Sequence, residues 1–365
     1  MRAHILVGSV VSANILLSVV GVLFSLSTLA GISYVLTLVT LCLLLLSKSF
    51  TKSEIHLLIG IFLFFIVPVL VHYMSYKDYS IVYIFHYLAS ALSGVIVGRY
   101  FTKIPFKAIL ITIAIIEILF IFSFTDEGNS QTVNRTYFSV PIVIVYLCLC
   151  ISNYFKNKKF DISALIIVIV ISVISYSRST ALLSFLVLGV FIIMASIREK
   201  YRPYQIFGLI CFYIGLLAAI PFVIDIMINH PFTQRYSERG FDTGRFVIWS
   251  YYLTQLDFRS VMLGVNVNEL WISLDEMFFH DNGRHTLHNS FLQLHSHGGI
   301  VPVIAVSAYL FRSLLNKFTG RHGILVLCVF SLFLGKASFD VSIFPQRFDF
   351  LVFGIGFFLL KRKAT

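Results

Sequence analysis

Residues 161–200 read DISALIIVIVISVISYSRSTALLSFLVLGVFIIMASIREK, in which two nearly charge-free runs, 162–176 and 180–196, are separated by one short turn holding a single cation, Arg178. Lys156, Lys158 and Lys159 precede the first run, and Arg198, Lys200 and Arg202 follow the second. A helix covers the roughly 30 Å of bilayer hydrocarbon in about 20 apolar residues. Basic flanks are retained on the cytoplasmic side, so the stretch reads as a membrane hairpin with its turn across the bilayer.

The same pattern extends outward in both directions. Runs at 4–24, 28–47, 55–73, 81–98, 108–124 and 138–154 precede the hairpin, and runs at 204–226, 298–316, 323–338 and 349–361 follow it. The expected fold is all-α: a polytopic membrane protein of about twelve transmembrane helices. The composition, 58% hydrophobic and 12% charged with a mean hydropathy of +0.90, excludes an ordinary soluble domain. The net charge of +11 leaves no continuous basic face, because the cations are sorted by membrane side; nucleic acid is not an expected partner. All five cysteines fall inside apolar runs, which argues against a disulfide framework. Met1-Arg2 leads straight into apolar sequence with no small-residue cleavage site, so the first span is expected to be retained.

Basic residues occupy every second loop and both ends of the chain: Arg2; Lys48 and Lys52; Arg99, Lys103 and Lys107; Lys156, Lys158 and Lys159; Arg198, Lys200 and Arg202; Arg312, Lys317 and Arg321; Lys361, Arg362 and Lys363. That side is expected to be cytoplasmic, with both termini on it. The alternate loops carry the acids, including seven carboxylates between Glu238 and Asp281. The chain therefore divides into helices 1–9 over 1–226, an extracytoplasmic segment over 227–297, and helices 10–12 over 298–365. The long loop between helices 9 and 10 is where function is expected, because long connections in compact proteins are more often functional than accidental.

Arginine is costly beside an apolar span. Arg178, in the outer turn SYSRSTALL, is placed either to bind an anion arriving from the headgroup region or to snorkel there and cap carbonyls. Arg235, Arg239, Arg245 and Arg284 add positive charge on the same side, and each close Arg–phosphate contact supplies roughly 4 kcal/mol of gross Coulomb attraction at an effective dielectric near 20. Together they suit a pyrophosphate; alternatively they pair with Glu238, Asp242 and Asp257. The stretch GRFVIWSYYLTQL, which holds Arg245 and Trp249, has the spacing of an amphipathic helix. His288 sits where the polar loop becomes apolar helix, and a neutral imidazole there can take a proton from a hydroxyl. Interfacial hydrogen bonding is the plainer role. His285, His288, His295 and His297 offer nitrogen ligands, but no carboxylate or cysteine completes a metal spacing and there is no HExxH, so no metal is expected. No GxSxG elbow or Walker loop occurs. Glu117, Lys336 and Asp340 are ionisable groups within or beside spans. They mark either a transport pathway or, in the plainer case, a neutral Glu117 and a local Lys336/Asp340 pair.

Four motifs in this order, SYSRSTALL around Arg178, TGRFVIW around Arg245, LHNSFLQLHSHGGI around His288 and FDVSIFPQRFDF beyond the tenth span, resemble the superfamily of O-antigen polymerases and O-antigen ligases. The resemblance covers the second half of the chain; the first half agrees only in helix number. In one place the chain departs from it, having His295-Ser296-His297 where the family often has an acidic residue, so no acid role attaches to that position.

The resemblance implies a GT-C-like membrane glycosyltransferase of the bacterial inner membrane. Its site would face the periplasm and use an undecaprenyl-pyrophosphate-linked oligosaccharide without a cofactor. Arg178 and Arg245, with Arg235 or Arg347, would clamp the pyrophosphate. His288 would activate the acceptor hydroxyl for inverting attack, and Asn289 would orient the imidazole or bind sugar. Arg239, Trp249 and Arg284 join the candidate substrate-binding residues. Membrane lipid and a chain-length regulator are the other implied partners. Polymerase is the favoured activity, ligation to lipid A core the alternative, and a lipid-linked oligosaccharide flippase the reading from another class.

Overall fold

A computed structural model describes residues 3–23, 27–46, 49–77, 81–123, 139–174, 177–196, 245–274, 287, 289–314, 317–318, 320–339 and 348–361. Among them there is no strand. The first six helices are α1 (Ala3–Leu23), α2 (Ser27–Leu46), α3 (Lys52–Ile61), α4 (Val67–Tyr76), α5 (Ile81–Tyr100) and α6 (Phe106–Ser123). The next three are α7 (Ser139–Asn157), α8 (Ile162–Ile174) and α9 (Arg178–Ser196). Four short helices follow: α10 (Arg245–Thr254), α11 (Phe258–Leu263), α12 (Val267–Leu274) and α13 (Ser290–Gly298). Three apolar helices close the chain: α14 (Ile300–Leu314), α15 (Gly320–Phe339) and α16 (Asp349–Lys361).

Every apolar run of the sequence except the ninth coincides with a helix or a continuous pair of them; the run at 204–226 lies outside the described residues. Five helical segments are long and apolar enough to cross a membrane: Ala3–Gly21, Lys52–Tyr76, Val82–Lys103, Val140–Asn157 and Gly320–Ser338. The outward face of α2 carries Ile32, Val35, Leu36, Val39, Leu43 and Leu46 exposed, while Leu38, Leu41 and Leu45 are buried on its other side. A soluble protein rarely leaves so continuous an apolar stripe in water, whereas lipid is a suitable solvent for it.

The second long span is not one regular helix. Thr51 caps α3, accepting from Glu54 N–H, while the Glu54 carboxylate accepts from Thr51 N–H in return. A π-helical turn over Phe62–Ile66 then joins α3 to α4, and Val67 N–H reaches back five residues to Phe62 O. Pro68 follows at the start of α4. Proline lacks an N–H and crowds the preceding turn, and one wide turn absorbs that defect without ending the span.

The bundle is centred on α5, which packs against α1, α2, α3, α4 and α16, and on α7, whose Val140–Ile151 face is buried throughout. The α5–α16 contact is a glycine one. A methyl group at Gly94 would lie 2.6 Å from Phe353 Cβ, and one at Gly98 2.7 Å from Phe357 Cβ. Small residues let two helix backbones approach in this way where lipid supplies no hydrophobic drive. One end of this pair is tied by charge. The Glu54 carboxylate, 1% exposed, receives Arg99 Nε at 2.9 Å and Nη2 at 2.7 Å, and also Lys361 Nζ. A buried carboxylate is tolerated there because its oxygens are fully occupied by donors.

Candidate functional site

At the opposite end of the bundle, the described residues of the 245–298 segment, 245–274, 287 and 289–298, build a small structure of their own. Asp257 accepts from Ser260 N–H at 2.7 Å and starts α11, and these hydrogen bonds hold its carboxyl below the usual aspartate range. Asn289 starts α13, its Oδ1 accepting from Phe291 N–H at 2.9 Å and Leu292 N–H at 3.1 Å. Ile248 and Tyr252 of α10, Leu270 of α12 and Leu287 form a core apart from that of the bundle, with Trp249, Val265 and Leu292 packed against it. Trp249 Nε1–H donates to Leu287 O at 2.6 Å. Leu287 N–H in turn donates to Gln293 Oε1 at 3.3 Å. The helix headed by Arg245 is thereby fastened to the residue immediately before His288.

Two histidines of α13 lock this segment together and seat it on the bundle. His295 is buried and uses both ring nitrogens: Nε2–H donates to Val261 O at 3.1 Å, and Nδ1 accepts from Tyr252 OH at 2.6 Å. Since a carbonyl can only accept, Nε2 carries a proton, and burial favours the neutral ring in which Nδ1 accepts. Burial pushes the His295 pKa below its ordinary value, with nearby His72 acting in the same direction and the Val261 hydrogen bond opposing both. His297 is fully buried; Gln293 Nε2–H donates to its Nε2 at 2.8 Å, and its ring lies 4.3 Å from that of Tyr83 on α5. The bond from Leu287 N–H fixes which end of the Gln293 amide is oxygen, and so fixes that direction of donation.

From the bundle side, His72 of α4 donates Nδ1–H to Leu263 O at 2.7 Å, and Tyr76 OH donates to Gly264 O at 3.2 Å. The Arg259 guanidinium stands 5.5 Å from the Tyr76 ring centroid. The chains interlock at two glycines of positive φ. Gly264, at φ +93°, has no room for a methyl group beside Ser296 O, and Gly299, at φ +69°, has none beside Met262 O.

Of the residues nominated from sequence, Trp249 and Asn289 are placed side chain and all, Trp249 bonded to Leu287 O and Asn289 at the start of α13. Arg178 and Arg245 are the first residues of α9 and α10; only their backbones are described. Arg235, Arg239, Arg284, His288 and Arg347 lie outside the described residues, as does Asp340. Asn289 has a structural task that the sequence did not disclose, because its side-chain oxygen is spent on the helix cap. No group of three His, Cys, Asp or Glu comes together among the described residues, and both nitrogens of His295 are engaged in hydrogen bonds. Sequence reasoning passed over His72, Tyr76, Tyr83 and Tyr252, on which the segment rests. His72 carried a usable signal, since an imidazole within an apolar span has to find a partner.

No family model, curated protein or solved structure matches this chain.

Proposed function

We propose that this protein is a membrane glycosyltransferase that polymerises undecaprenyl-pyrophosphate-linked repeat units of a surface polysaccharide, O-antigen or a related polymer. The observation that supports this most is the Trp249–Leu287 hydrogen bond at 2.6 Å. It ties the helix that starts at Arg245 to Leu287, the residue that precedes His288 in the sequence, and this reading takes the two nominated residues as parts of one site.

In this reading the bundle crosses the bacterial inner membrane about twelve times with both termini cytoplasmic, in a GT-C-like arrangement, and the 245–298 segment faces the periplasm. Arg178 and Arg245, with Arg235 or Arg347, hold the donor pyrophosphate, while Arg239, Trp249, Arg284 and Asn289 contribute to the sugar groove. His288 takes the proton of the acceptor hydroxyl as its oxygen attacks the anomeric carbon. The bond from that carbon to the pyrophosphate oxygen breaks, and undecaprenyl pyrophosphate leaves. Guanidinium groups offset the charge that grows on the leaving group, the task a divalent cation performs in many soluble transferases. A chain-length regulator is the expected protein partner.

The test is turnover in proteoliposomes, read as release of undecaprenyl pyrophosphate. His288→Ala should reduce kcat by about 10²–10⁴-fold with donor binding retained, the range for loss of a general base. Arg245→Ala should weaken donor binding as well. Full turnover in both variants would refute the assignment.

One observation favours a second reading. Glu117 of α6 is 1% exposed, and neither carboxyl oxygen has a hydrogen-bond partner among the described residues. An ionisable group so placed inside a membrane bundle suits a transport pathway, and on that basis a lipid-linked oligosaccharide flippase is the competing function. Loss of lipid flipping, with no glycosidic bond formed, on Glu117→Gln would favour it.

A further inference from the structure

Between α2, α5 and α16 lies a chain of four polar side chains that the transfer mechanism above does not use. Asp349, in the first turn of α16, is fully buried, and its Oδ2 receives His86 Nε2–H of α5 at 2.7 Å. On the other side of the ring, Tyr34 OH of α2 lies 2.7 Å from His86 Nδ1. Tyr34 OH also lies 3.0 Å from the buried hydroxyl of Ser90, one turn along α5. The chain is at the same end of the bundle as α13: Tyr87 stands 5.4 Å from the His86 ring, Tyr83 stands 6.5 Å from Tyr87, and the Tyr83 ring lies tilted at 4.3 Å from that of His297.

We infer that Asp349, His86, Tyr34 and Ser90 form a proton relay that takes up one proton from that end of the molecule and holds it on His86. The geometry accommodates either state without moving a heavy atom. With His86 neutral, Nε2–H donates to Asp349, Tyr34 OH donates to Nδ1, and Ser90 OH donates to the phenol oxygen. When a proton reaches the phenol oxygen from water, the phenol's own proton passes to Nδ1. His86 is then an imidazolium donating to Asp349 and to Tyr34, and Tyr34 donates to Ser90. In both states each His86 ring nitrogen keeps its hydrogen-bond partner, and the buried Asp349 carboxylate, beside the amino end of α16, lies in contact with the added charge. Imidazole is the side chain suited to such a task, because it ordinarily changes charge near neutral pH.

The groups that face His86 are few. Asp349 comes from α16, Tyr34 from α2, and Tyr83 and Tyr87 from α5 itself. His72 and Tyr76 of α4 and His297 of α13 stand beyond Tyr83. Cys42 of α2 binds Ser93, deeper along α5, at 3.8 Å. Glu54 of α3 belongs to the far end, paired with Arg99, and His4 of α1 is likewise remote, since Gly8 on the following turn packs against Pro105. Asp349 is therefore the single carboxylate in hydrogen-bonding contact with His86 among the described residues. Resting on the proposed transfer reaction, the relay receives the proton that each new glycosidic bond sets free from the acceptor hydroxyl.

The test has two arms, both on the full-length protein in nanodiscs. Nitrogen NMR of histidine-labelled protein, followed across the range of pH in which the protein stays folded, should show one ring that changes between imidazole and imidazolium. Those signals should vanish in His86→Gln, which keeps a hydrogen-bonding side chain in place, and Nδ1 should shift in Tyr34→Phe. A His86 that keeps one protonation state across the range overturns the relay whatever the protein catalyses. In the turnover arm, both variants should lower kcat roughly tenfold with donor KM unchanged, as expected for a displaced proton rather than a lost contact. Wild-type kcat in both variants overturns the catalytic use of the relay. An inactive wild-type protein overturns the transferase reading alone, since the NMR arm still decides the relay.

Discussion

His295 shows how much of the site depends on single side chains held in one protonation state. Its folded pKa is depressed by burial, so below about pH 6.5, the ordinary histidine value, the unfolded chain binds a proton that the folded site refuses. The stabilisation from this group is complete above that pH and is lost as pH falls toward the folded pKa, with a slope of at most about 1.4 kcal/mol per pH unit. Protection factors of the α10 and α13 amides, which are observed exchange rates corrected for the intrinsic pH dependence of exchange, should therefore fall on acidification below about pH 6.5, and His295→Gln should blunt the effect; protection that does not change with pH would contradict the neutral assignment. Tyr252→Phe removes the donor to His295 Nδ1 and strands a buried acceptor, at a cost of about 1–3 kcal/mol to the segment, readable by the same exchange. None of this was visible in the string HSH. The partners of His295, Tyr252 and Val261, lie 43 and 34 residues away, and no local periodicity encodes that distance.

The pair α5–α16 packs closely at Gly94 and Gly98, and it links the far end of the bundle, where Lys361 meets Glu54, to the relay end, where Asp349 meets His86. Gly98→Val should force the backbones apart and cost about 1–3 kcal/mol, lowering the thermal midpoint in detergent; an unchanged midpoint would show that the contact is looser than the 2.7 Å approach indicates. Arg99→Ala should cost more, about 3–5 kcal/mol, because it leaves the Glu54 carboxylate buried and short of donors. The helices themselves were legible, since a run of apolar residues long enough for the bilayer has few other structures available. Their irregularities were less so. The π-helical turn before Pro68 and the break at Gly299 between α13 and α14 depend on where a neighbouring backbone lies, and hydropathy is blind to both.

At the scale of the whole molecule, charge divides the two ends. Glu54, Arg99 and Lys361 close one end, while the 245–298 segment and the His86–Asp349 chain occupy the other. The alternation of basic loops put Arg99 and Lys361 on one expected side of the bundle, and the structure brings both to Glu54. The candidate site was legible only in part. Arg245, Trp249 and Asn289 stood out in the second half of the chain, but the support from His72, Tyr76 and Tyr83 comes from the first half, brought near by packing alone. The most direct test of the central proposal is the size of the product that purified, reconstituted protein makes from an undecaprenyl-pyrophosphate-linked repeat unit, with and without lipid A core. A polymerase predicts a ladder without the core that His288→Ala abolishes. A single transfer requiring the core would contradict polymerisation in favour of ligation, and the absence of any product under both conditions would contradict a transferase altogether.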